Sequence, residues 1–261
     1  MCVLALAFEQ HPCWRLIAAG NRDELHARPA SALHRWDGAC SVLAGQDLKS
    51  GGTWMGVSEE GRFAVVTNLR GFGPPAEDSP SRGLLLRDLL EGQGRYARPA
   101  EHDLEAFNPF NLIALTDEAL WFASNRPQVE RRALTAGLYG LSNGPLDAPW
   151  PKTERLKAHL ADWTADGAAP PEALLDRLRD DRLPPTAEGI QLPPSDAPQE
   201  PPLSPIFERN PVYGTRCSTV VLVGRDGRGL MIERRYDADG EVTGDTALAF
   251  AWPDGTSCAI G

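Results

Sequence analysis

Met1-Cys2-Val3-Leu4-Ala5-Leu6-Ala7-Phe8, Glu9-Gln10-His11-Pro12, Cys13-Trp14-Arg15-Leu16-Ile17-Ala18-Ala19-Gly20 and Asn21-Arg22-Asp23-Glu24 follow one another at the start of the chain. Two short apolar runs, residues 2 to 8 and 13 to 20, flank a polar break that carries proline. This is the pattern of two strands joined by a tight connection. With the turn centred near residues 10 and 11, antiparallel pairing places Gly20 opposite Cys2, and Asn21 to Glu24 emerge beside the chain terminus. Four polar residues are thereby delivered to one cysteine.

Further strand pairs follow. Thr53 to Ser58, the turn Glu59-Glu60-Gly61 and Phe63 to Asn68 read as a second hairpin. Asn111 to Leu115, a turn at Thr116-Asp117-Glu118 and Leu120 to Ala123 read as a third, followed by a short strand Tyr139 to Ser142 that ends at Asn143. Strands resume at Thr215 to Val223 and Gly229 to Arg235. Three helices are predicted: Arg82 to Glu91 capped by Ser81, Pro151 to about Trp163, and Glu172 to Arg179. Pro184 to Pro205 holds eight prolines, which excludes regular structure and predicts a surface excursion. Antiparallel strands with a few amphipathic helices predict an α+β fold of two sheets packed face to face under helices, in one domain over residues 1–261.

Bulk properties narrow the function. The formal charge of −10 over 261 residues leaves no basic patch to neutralise a phosphate backbone, so neither nucleic acid nor an anionic membrane surface is an expected partner. A small-molecule ligand or substrate is. The apolar start is too short for a signal segment, and no stretch has the length of a membrane span, which predicts a cytoplasmic protein without integral membrane association. The five cysteines (Cys2, Cys13, Cys40, Cys217, Cys258) are scattered, with no zinc-binding spacing. Four read as small buried hydrophobes; Cys2 is chemically special by position.

Removal of Met1 would leave Cys2 with a free α-amino group on the nucleophile's own residue. An amine of pKa about 7.7–8.0 beside a thiol of about 8.5 is a self-contained base and nucleophile. A neighbouring Arg22 favours thiolate over thiol and amine over ammonium, and Asp23 or Glu24 can orient the amine. Asn68 and Asn143, each at a strand end, can offer N–H groups to the oxyanion of a tetrahedral intermediate. Structural readings stand beside these: Cys2 as a plain strand residue, Asn21 to Glu24 as a turn with an internal ion pair, and both asparagines as turn formers.

The Met1-Cys2 start followed by Asn21-Arg22-Asp23-Glu24 resembles the signature of the NRDE family, whose animal members are called transport and Golgi organisation proteins. Matching blocks extend the resemblance along nearly the whole chain: Gly51-Gly52-Thr53-Trp54-Met55-Gly56, Thr67-Asn68-Leu69-Arg70, Ser81-Arg82-Gly83, Asn108-Pro109-Phe110-Asn111-Leu112, Leu141-Ser142-Asn143-Gly144-Pro145-Leu146-Asp147 and Tyr213-Gly214-Thr215-Arg216. The resemblance implies a four-layer αββα sandwich of the N-terminal-nucleophile (Ntn) hydrolase kind. More distantly the chain is similar to choloylglycine hydrolases and penicillin V acylases, which implies hydrolysis of a small non-peptide amide with Cys2, Arg22, Asp23, Asn68 and Asn143 as catalytic residues. Asn21, Glu24, Trp54, Arg70 and Arg216 are the expected binding residues. Those hydrolases place arginine three positions before aspartate, whereas here Arg22 adjoins Asp23. The family is also linked to haem trafficking and to lipid or acyl-coenzyme A metabolism. The alternative is therefore a non-catalytic carrier of haem or an acyl-coenzyme A-like ligand, with Cys2, His11 or Cys13 as candidate iron ligands. No cofactor is required for the hydrolytic reading.

Overall fold

A computed structural model of the chain describes residues 2–38, 41–116, 119–183, 193–194 and 203–253. In chain order the strands are β1 (Cys2–Phe8), β2 (Trp14–Leu25), β3 (Ala30–Arg35), β4 (Val42–Asp47), β5 (Met55–Ser58) and β6 (Arg62–Asn68). After helices α1 (Arg82–Glu91) and α2 (Glu101–Glu105) come β7 (Phe110–Thr116), β8 (Ala119–Ser124), β9 (Glu130–Ala133) and β10 (Gly137–Leu141). Helices α3 (Pro151–Ala165) and α4 (Glu172–Arg177) precede β11 (Tyr213–Gly224), β12 (Arg228–Tyr236) and β13 (Val242–Ala251).

These strands form a six-stranded sheet of order β10-β1-β2-β11-β12-β13 and a seven-stranded sheet running β3 to β9 in sequence. Every pairing is antiparallel. The two-residue alternation of a strand explains the layering. Leu4, Leu6, Leu16 and Ala18 point inward and pack with Met55, Val57, Phe63, Val65 and Ile113 of the other sheet. Val3, Ala5, Ala7 and Ala19 point outward under Leu156 and Leu160 of α3 and Leu174 and Leu175 of α4. The alanines on this face let α3 lie close. On the far side Leu85, Leu86, Leu89 and Leu90 of α1 cover Ala44, Ala64, Leu112 and Ala114. The result is the predicted four-layer αββα sandwich.

Two motif blocks meet at the start of α1. Ser81 caps the helix by accepting from the Gly83 N–H at 3.3 Å, and Gly92 ends it in a left-handed conformation (φ 66°). A methyl group added to Gly52 would come within 2.1 Å of the Gly83 carbonyl carbon, so the two backbones touch. Glycine is required there by close approach.

Several expectations change in detail. The first hairpin has its tip further along: Cys2 pairs with Arg22 and Leu4 with Gly20. The connection is longer than a tight turn because His11 Nδ1 accepts the Cys13 and Trp14 N–H groups, holding residues 10 to 13 out of the ladder. Strand β2 continues through Leu25, so Asn21 to Glu24 lie within the sheet rather than beyond it. Cys13 is exposed, not buried, whereas Cys217 is buried; Cys40 and Cys258 lie outside the described residues. Most of the predicted excursion from 184 to 205 also lies outside them, while Ser204 and Pro205 at its end are buried. No helix among the described residues is long and apolar enough to cross a membrane.

Candidate active site

Directly opposed residues of an antiparallel sheet project from the same face. Cys2 pairs with Arg22, Arg22 with Cys217, and Cys217 with Arg235. The row crosses β1, β2, β11 and β12 and ends at Gly244 of β13. All four side chains line a cavity of about 640 Å³ between the two sheets, a size suited to a small organic ligand. Glu24, Trp54, Asn68 and Arg216 join the wall, as do Asp23, Arg28, Asp47, Thr53, Arg82, Tyr213, Glu233 and Tyr236.

Cys2 is 9 % exposed. Its backbone N–H donates to Asn143 Oδ1 (3.2 Å), and its carbonyl accepts from Ser142 Oγ (2.8 Å). Asn143 Nδ2 in turn donates to the Asn68 carbonyl (2.9 Å), so one buried amide ties the end of β1 to the end of β6 across the sandwich. Burial pushes the Cys2 thiol above its ordinary pKa, with the charge of Asp23 in the same direction; Arg22 and a hydrogen bond from the Asp23 backbone oppose it. The sulfur is therefore a thiol that needs a base.

Arg22 is held by two carboxylates, Glu24 and Asp47, each at 3.4 Å. Arg28 reaches the same pair, at 2.6 Å to Asp47 and 3.7 Å to Glu24. Two cations and two anions thus neutralise one another where β2 meets β4. Asp47 pays for its burial through these contacts, and hydrogen bonding and charge from Arg28, with Arg22, leave its carboxyl below the usual range. Asp23 stays out of this cluster: its Oδ1 accepts from Thr215 Oγ1 at 2.7 Å and its carbonyl from the Tyr213 hydroxyl at 3.1 Å. Burial, with Asp23's charge second, pushes the nearby Glu208 up to about 7, against the pull of Lys152.

A bulge in β11 between Thr215 and Cys217 sets Arg216 out of register. Its Nη1 donates to the carbonyls of Leu25, His26 and Arg28, which fixes the turn after β2. Arg216 meets the cavity, but as a clamp on backbone. Three expected residues do not line the cavity. Asn21 is on the helix-facing side, where Nδ2 donates to the Leu178 and Ile206 carbonyls (2.8 Å each) and Oδ1 accepts from Ser218 Oγ (2.6 Å). Asn143 is fully buried behind Cys2, and Arg70 is buried with its backbone N–H on the Asn143 carbonyl. Asn21 is displaced by strand parity, since its neighbours Gly20 and Arg22 take the inner face.

Of the three suggested iron ligands only Cys2 meets the cavity. His11 and Cys13 sit at the opposite end of the β1–β2 hairpin, so the three do not come together in one place. Sequence reasoning missed Asp47, Cys217, Glu233 and Arg235. Glu233 is 4 % exposed and accepts the Leu33 N–H at 2.8 Å; burial raises its pKa. Burial, then Glu233, also raises Cys217. The available signal was the alternation Met231, Glu233, Arg235, which puts two charged residues on the same face as a core methionine.

The Transport and Golgi organisation 2 family model matches residues 1–238. The bovine Transport and Golgi organization protein 2 homolog is 33% identical over 257 residues, covering 90% of this chain and 92% of its own. The human homolog is 31% identical with the same coverage, and the Drosophila melanogaster protein 26% identical over 89% of this chain and 91% of its own. Among solved structures, a C2A mutant of conjugated bile acid hydrolase from Clostridium perfringens superposes with a TM-score of 0.54 at 9% identity, covering 95% of this chain and 92% of its own. A Caenorhabditis elegans ortholog of N-acylethanolamine-hydrolyzing acid amidase gives 0.50 at 12% identity, over 85% and 92%. At such identities the likeness speaks to fold alone, and it agrees with the two antiparallel sheets seen here. The chain belongs to the Transport and Golgi organisation 2, or NRDE, family and carries an Ntn-hydrolase-like fold.

Proposed function

We propose that the protein hydrolyses a C–N amide bond of a small molecule, with Cys2 as nucleophile. The observation that carries this reading is the placement of Cys2 on the cavity wall beside Arg22, with its backbone nitrogen held by Asn143 Oδ1. Once residue 1 is removed, that nitrogen is a primary amine. The amine takes the thiol proton, and the sulfur attacks the amide carbonyl carbon. The oxyanion meets the Asn68 side chain, which is exposed to the cavity, and the Arg22 charge. Asn143 positions the amine, because it is buried behind Cys2 and off the cavity wall, with Nδ2 donating to the Asn68 carbonyl. The leaving amine departs with the proton from the Cys2 ammonium. Water, deprotonated by the same amine, then cleaves the thioester to release the acid and restore the thiol.

A panel of N-acyl 4-nitroanilides tests this. Wild type is expected to release nitroaniline from at least one member, and Cys2→Ala to lose roughly 10³-fold or more of that rate. Equal turnover by the two proteins would refute the assignment. A second reading, a non-catalytic carrier of an acyl-coenzyme A-like ligand, keeps the cavity without the reaction. It is favoured by the burial that keeps the Cys2 sulfur protonated, and it predicts ligand binding that Cys2→Ala leaves intact, with no turnover.

A further inference from the structure

Four arginines of the cavity wall differ in what already holds them. Arg22 and Arg28 share Glu24 and Asp47. Arg216 is spent on three backbone carbonyls. Arg235 has no carboxylate within salt-bridge distance among the described residues, and its one side-chain hydrogen bond goes to Thr246 Oγ1 at 3.4 Å. Two acids, Glu233 and Asp245, feel its charge, but each is held by another partner. Asp245 is bound by Arg234 at 2.9 Å, and Glu233 accepts the Leu33 N–H, with burial favouring its neutral form. Across the sheet from Arg235 stands Gly244, where an added methyl group would come within 2.5 Å of Arg235 Nη2. The guanidinium therefore rests over a residue that leaves it room, at the β12–β13 end of the cavity beside Thr243 and Tyr236.

We propose that Arg235 is an anion subsite that receives the carboxylate of a ligand whose amide lies at Cys2. This rests on the amide-hydrolase reading for its second half only. A planar guanidinium offers a carboxylate two parallel N–H donors, and a half-buried arginine with no carboxylate in direct contact gains more from one than a solvated arginine does. The row supplies a ruler. Three inter-strand steps of about 4.8 Å separate Cys2 from Arg235, about 14 Å between backbones. A ligand that serves both must carry its acid several bonds from the amide, and the acids with the longer spacers should be preferred.

Anilides of succinic, adipic and suberic acids, each paired with its methyl ester, provide probes of increasing reach. Titration calorimetry on wild type is expected to show the free acid bound about tenfold or more tightly than its ester, with the preference growing with spacer length. Arg235→Gln should abolish the preference, Arg235→Lys should keep part of it, and Cys2→Ala should keep all of it. Acids and esters bound alike at every length, acids not bound at all, or a preference that survives Arg235→Gln would overturn the subsite. Because binding to Cys2→Ala needs no turnover, an intact preference without hydrolysis would sink the catalytic reading and leave the anion subsite standing.

Discussion

Replacing Asn21 by alanine should unfold the protein more easily without acting on the cavity. The side chain is fully buried and makes three hydrogen bonds, two from Nδ2 to the carbonyls of Leu178 and Ile206 and one from Ser218 Oγ to Oδ1. These contacts tie β2 to the end of α4 and to the segment before β11. Truncation leaves two buried carbonyls without this donor, while Ser218 retains the Tyr236 hydroxyl at 3.1 Å. At about 1–3 kcal/mol for each of the two buried groups left unsatisfied, the loss is about 2–6 kcal/mol, a large part of a typical domain's stability. With a urea m-value of about 3 kcal/mol/M, the unfolding midpoint should fall by about 0.7–2 M. Asn21→Asp should be worse, because it turns an oxygen and a buried charge towards both carbonyls. Ser218→Ala should cost less than Asn21→Ala and should not be additive with it. A loss below about 1 kcal/mol for Asn21→Ala, or a stable variant that no longer binds cavity ligands, would refute the structural role and return Asn21 to the site.

Gly52→Ala should destabilise by about 1–3 kcal/mol, because the added methyl group meets the Gly83 backbone rather than a movable side chain; urea melts check this, and a neutral result would mean that the two loops separate freely. Glu208, pushed up to about 7, binds a proton in the folded state that the unfolded chain has released, so its contribution lowers stability as pH rises from about 4.5 to about 7. Glu208→Gln should flatten that slope, and an unchanged pH profile would contradict it. Asp47 has the opposite sign: its depressed carboxyl stabilises above its unfolded pKa of about 3.9, and that contribution is lost as pH falls below it. Asp47→Asn should be less stable than wild type at neutral pH, with the gap closing in acid.

The inner halves of the sheets were legible because their strands alternate or run apolar between clear turns, as in Phe63 to Asn68 and Asn111 to Leu115. Strand β9 is exposed at all four residues, and β13 alternates exposed with half-buried positions until Phe250 near its end, so the first carries no hydrophobic signal and the second only a late one. The hairpin register was misplaced by two residues because His11 works as an acceptor for the Cys13 and Trp14 backbone, which composition does not reveal. A two-residue shift preserves strand parity, so the signature still lies beside Cys2, but Arg22 rather than Gly20 stands opposite it. Proximity in sequence suggested that all four signature residues share one site. Alternation divides them instead, sending Arg22 and Glu24 to the salt-bridge cluster on the inner face and Asn21 to the helix layer. Asp47, Glu233 and Arg235 reach the cavity only through the order of strands within and between the sheets, which no local pattern encodes.

The central claim is that Cys2, with its own freed amine, is the acyl-accepting nucleophile. Intact mass and N-terminal sequencing of the purified protein, after brief incubation with an N-acyl nitroanilide and an acid quench, address it directly. The account predicts a chain beginning at Cys2 and carrying one acyl group that hydroxylamine removes and that Cys2→Ala never acquires. A folded protein that retains residue 1, or an acyl group that persists in Cys2→Ala, would contradict it.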